Sequence, residues 1–85
     1  MNAIIVYDIY KTTREHKAPD TTIGLALYKD EHPEVTISKQ EDKAIREFMG
    51  QHGEALAKAF PDPVAFFKAV EDGVAKDAKK AAEAV

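Results

Sequence analysis

The sequence predicts an α+β fold: a three-stranded antiparallel sheet (β-β-β) followed by two α-helices packed on one face of it. Three observations predict it. Residues 3–10, Ala-Ile-Ile-Val-Tyr-Asp-Ile-Tyr, form a short apolar run rich in β-branched and aromatic side chains. Ser38-Lys39-Gln40-Glu41 opens an amphipathic stripe as a capping box does. Pro61-Asp62-Pro63 then separates that stripe from a second one. The 85 residues make one domain over positions 1–85.

The first predicted strand covers about residues 3–10. Strand side chains alternate, so Ala3, Ile5, Tyr7 and Ile9 share one face and Ile4, Val6, Asp8 and Tyr10 the other. Apolar groups on both faces mark a covered strand, or an edge kept for another chain. Residues 11–20 read as a polar loop ending in turn residues. The second strand covers about 21–28, with Ile23, Leu25 and Leu27 on one face. Gly24 and Ala26 on the other are small enough for a neighbouring ring or helix to come close. A charged turn over 29–34 leads to a short third strand, Val35-Thr36-Ile37.

The first helix is expected over about 39–60. Its apolar stripe, Ala44, Ile45, Phe48, Met49, Ala55, Leu56, Ala59 and Phe60, keeps helical phase across Gly50 and Gly53. The second helix is expected over about 63–84, with Val64, Phe67, Val70, Val74, Ala78, Ala81 and Val85 at 3–4 spacing. Beyond Val74 that stripe thins to alanine, so its end should fray or dock on a partner.

Composition excludes several functions. The net charge of −3 opposes a duplex-DNA binder that works through overall positive charge. The chain has no cysteine, which removes disulfides and thiolate chemistry and suits a cytoplasmic setting. No stretch approaches the roughly 20 apolar residues of a membrane span. The lone serine, Ser38, is the expected helix cap, so a serine triad is excluded. His16, His32 and His52 lie in three separate elements without the spacing of a helical zinc site. Asp8, His16 and Asp20 fall at the base of the first predicted hairpin, but a mobile turn fixes ligands poorly. No cofactor, no metal and no enzymatic activity are expected.

The expected contact residues therefore belong to binding. Ile4, Val6, Asp8 and Tyr10 line the exposed face of the first strand, which would pair with a target protein or with a second copy. Lys11, Arg14, His16 and Lys17 make the following loop the most basic part of an acidic chain, suited to an acidic surface. Asp30, Glu31 and Glu34, together with Glu41 and Asp42, form acidic clusters that could imitate phosphates. Residues 35–60, a short strand leading into helical sequence with Gly50 and Gly53 as a break, resemble the ribbon–helix–helix family. That resemblance implies a dimeric DNA-binding regulator with Thr36, and Glu34 or Ser38, in the major groove; the basic residues usual in that strand are missing.

The reading these residues leave is a small non-enzymatic protein-binding module, an inhibitor or adaptor acting on another protein. Antagonists of host nuclease complexes encoded by phages and mobile elements, such as anti-CRISPR proteins, are one class of this size and acidity. The alternatives are the ribbon–helix–helix regulator and a self-associating structural protein that dimerises through the first strand.

Overall fold

Four α-helices take the place of the sheet. The computed structural model describes residues 2–83, and no strand is present among them. α1 spans Ala3–Glu15, α2 Thr21–Glu31, α3 Lys39–Ala59 and α4 Pro63–Glu83. They close a ring of neighbours, α1 against α2, α2 against α3, α3 against α4 and α4 back against α1. The predicted α+β class, its antiparallel sheet and its three strands are thereby corrected.

The first strand is a helix because its apolar residues fit a broad helical arc as well as two strand faces. Val6, Ile9 and Tyr10 recur at helical spacing and are buried. Ala3, Ile5 and Tyr7 are half-buried on the flanks of that arc. The arc is broad because α1 packs on α2 at one side and on α4 at the other. Asn2 caps the helix, its side-chain oxygen accepting the Ile4 N–H at 2.9 Å. The polar stretch 11–15 continues the helix, and the Thr13 hydroxyl donates to the Ile9 carbonyl at 2.7 Å.

α1 ends in a Schellman turn. The Ala18 N–H donates to Thr13 O at 2.9 Å and the Lys17 N–H to Arg14 O at 3.2 Å. That geometry needs a left-handed residue, and Lys17 supplies it at φ 50°. Glycine is the usual occupant, so a lysine here stores strain.

α2 starts where Asp20 accepts the Ile23 N–H at 3.0 Å. The β-branched Thr21, Thr22 and Ile23 favour a strand locally, but Leu25 and Tyr28 bury on one helical face and decide the outcome. Gly24 sits at the α1–α2 contact. A Cβ there would lie 1.7 Å from Thr13 Oγ1 and 2.9 Å from Thr13 Cβ. The third strand is instead part of the connection 32–38, where the Val35 N–H donates to His32 O and Val35 and Ile37 pack half-buried against the core. With residues 35–37 outside any strand and α3 unbroken through Gly50 and Gly53, the ribbon–helix–helix resemblance fails.

Ser38 caps α3, accepting the Glu41 N–H at 3.1 Å. Ile45, Phe48, Met49 and Leu56 are its buried face, while Ala44 and Ala55 are exposed. Asp62 caps α4 by accepting the Val64 N–H at 3.0 Å. The buried register of α4 is Phe66, Val70 and Gly73; of the predicted stripe Val70 is buried and Phe67 half-buried against the core, but Val64 is 78% exposed and Val74 39%. At Gly73 a Cβ would press to 2.9 Å from the Phe48 ring, so α3 and α4 lie close there. Of the residues expected to bury a docked tail, Val74 and Ala78 are exposed; the Ala81 side chain and Val85 lie outside the described residues.

Five rings join α1 to the α3–α4 corner. Tyr7 stacks on Phe60 at 5.3 Å, meets Phe66 edge-on at 5.2 Å and Phe67 at 5.7 Å. Tyr10 meets Phe66 edge-on at 5.6 Å. Such pairs add about 0.5–1.5 kcal/mol each beyond their buried area. The Tyr10 hydroxyl donates to Gly53 O at 3.2 Å, tying α1 to α3 as well.

The glycines separate by what surrounds them. Gly24→Ala should lower stability by about 1–3 kcal/mol through overpacking against Thr13. Gly50 has open space around its Cβ position, so Gly50→Ala should raise stability by about 1 kcal/mol through helix propensity alone. Urea unfolding followed by circular dichroism checks both, and equal effects would contradict the packing described. Lys17→Gly should add about 0.5–1 kcal/mol by relieving the left-handed strain; a loss of stability in thermal melts would mean that the turn adopts another conformation.

Candidate functional site

The helical fold redistributes the expected contact residues. Val6 is 0% exposed and Tyr10 6%, so both belong to the core and neither is open to a partner. Burial also raises the Tyr10 hydroxyl above the usual tyrosine pKa. Asp8 is half-buried, and its charge acts on Tyr28 of α2. Tyr28 is raised by burial first and by the charges of Asp8 and Glu34 second. Ile4 remains at the surface, 62% exposed. Pairing through the edge of a first strand is excluded with the strand itself.

The former loop residues divide. Lys11 and Arg14 ride on α1, and the Arg14 guanidinium sits 4.6 Å from the centre of the Phe60 ring. His16 pairs with Glu31 at the end of α2. Lys17 belongs to the turn. Asp30 is exposed in the last turn of α2, and Glu34 accepts from His32 at 3.1 Å if that ring nitrogen carries the proton. Glu34 is held below the usual carboxylate range by its own backbone N–H and then by His32. His52 of α3 approaches Asp77 of α4 at 3.4 Å. Asp8, His16 and Asp20 do not converge: Asp8 acts on Tyr28, His16 binds Glu31 and Asp20 caps α2. Among the described residues no group of three His, Asp or Glu is placed to hold a metal ion.

The acidic clusters are structural in part. Asp42 accepts from Lys29 of α2 at 2.8 Å and from Arg46 one turn along α3. The Lys29 hydrogen bond and then the Arg46 one hold Asp42 below the usual carboxylate range. The triad fastens α2 to α3, while Glu41 stays exposed.

One surface feature gathers apolar side chains. Ile4 lies one turn before Tyr7 on α1, and Val64 one turn before Phe67 on α4. Tyr7, Phe60 and Phe67 are half-buried, with Tyr7 in contact with both phenylalanines. Tyr7, Phe60 and Phe67 thus form a half-buried apolar strip along the α1–α4 seam, with Arg14 resting on its Phe60 end and Ile4 and Val64 exposed one turn away from Tyr7 and Phe67 along their helices. Of the predicted contact residues, Arg14 reaches this strip and Ile4 lies one turn from it on α1. Val64, Phe60 and Phe67 went unrecognised because they read as core stripe. The signal was available at Val64: in a helix with Phe66 and Val70 inward, position 64 points away from them.

No protein-family model, no curated protein and no solved structure matches the chain. Among the described residues no helix is long and apolar enough to cross a membrane.

The Asp42 triad makes acid stability testable. A carboxyl whose folded pKa is lowered stabilises the fold above its unfolded value, near 3.8, and that contribution is lost as pH falls through the folded value. Asp42→Asn should therefore lose about 0.5–1 kcal/mol at pH 7, an amount discounted for its partial exposure. The gap from wild type should close below about pH 3.8. Urea titrations at pH 7 and at strongly acid pH check this; a gap that is independent of pH would remove the ion pairs as its cause.

Proposed function

We propose that this chain is a non-enzymatic protein-binding domain that docks its partner on the α1–α4 seam, as an inhibitor or adaptor. The observation that carries the reading is the exposure of Ile4 and Val64, each one helical turn from a half-buried ring, Tyr7 and Phe67. Aromatic groups ringed by charge are the usual centre of a binding surface. The polar side chains that a catalyst would use have other work. Ser38 caps α3, and each histidine faces a carboxylate in a different part of the molecule. The domain would act by occupying or recruiting its target.

The test uses the tagged chain as bait in a nuclease-treated lysate of its source or host. An Ile4→Ser, Val64→Ser double variant should keep its unfolding free energy within about 0.5 kcal/mol of wild type, because both side chains are at the surface. A protein captured at near-equal stoichiometry by wild type and by a Glu47→Ser control, but not by the double variant, supports the reading. Capture that the double variant retains in full overturns the seam as the docking face.

A further inference from the structure

We draw no further inference here: the strongest candidate, the cavity of about 250 Å³ between the starts of α1 and α3 that Ile5, Ala44 and Ile45 line together with Asn2, Gln40 and Glu41, sets a carboxylate beside two helix N-termini, and nothing in the structure shows what covers it.

Discussion

The contact between α1 and the α3–α4 corner governs this fold. α1 is 13 residues long, near the length at which an isolated helix is marginal in water. It persists because Tyr7 and Tyr10 insert among Phe60, Phe66 and Phe67, where each ring meets at least two others. Five of the seven aromatic residues of the chain sit in this one cluster. Edge-on and stacked contacts occur side by side in it, as their quadrupoles favour. The cluster joins the first helix to the last two, so it closes the ring of four helices that the short connections alone would leave open.

Close approach at two glycines completes the closure. Gly24 lets α2 settle on Thr13, and Gly73 lets α4 settle on the Phe48 ring. Each glycine weakens its own helix by about 1 kcal/mol relative to alanine. Packing offsets that loss only where the neighbour occupies the space a methyl group would take. The α2–α3 contact is held differently, by the charged triad at Asp42 and by Val35 and Ile37 of the connection laid against the core. One side of the ring thus depends on aromatic burial and another on partly exposed charge, which salt and acid weaken while aromatic burial is unaffected.

The second half of the chain was legible and the first half was not, for one physical reason. α3 and α4 each carry local stop and start chemistry, Ser38 before one and Pro61-Asp62-Pro63 between them, and periodicity over 21 residues outweighs two glycines. α1 lacks such length. Its apolar arc is wide because it contacts two helices, and a wide arc over eight residues is indistinguishable from a strand covered on both sides. Asn2 as a cap and Thr12-Thr13 in helical phase with Ile9 were the available counter-signals. In α2 the β-branched start and Gly24 pointed to a strand, and only the tertiary contact with Thr13 shows why a glycine belongs there. The candidate site was half legible: Ile4 and Arg14 stood out as contact residues, but the meeting of Arg14 with Phe60 and of Tyr7 with Phe67 depends on a pairing of α1 with the α3–α4 corner that no local pattern encodes.

The cluster that closes the fold also shapes the surface. Phe66 fills the interior, leaving Tyr7, Phe60 and Phe67 to bridge core and solvent. A half-buried ring is rigid, because its inner edge is packed, and yet it offers an apolar outer edge. Rigid apolar edges lose little entropy when covered, which is the property a binding surface needs. Ile4 and Val64, one turn from Tyr7 and Phe67, stay exposed and add nothing to the core. The half-buried rings therefore hold α1 in place and keep their outer edges rigid, so on the docking reading loosening the rings would weaken stability and binding together, whereas altering Ile4 or Val64 would act on binding alone.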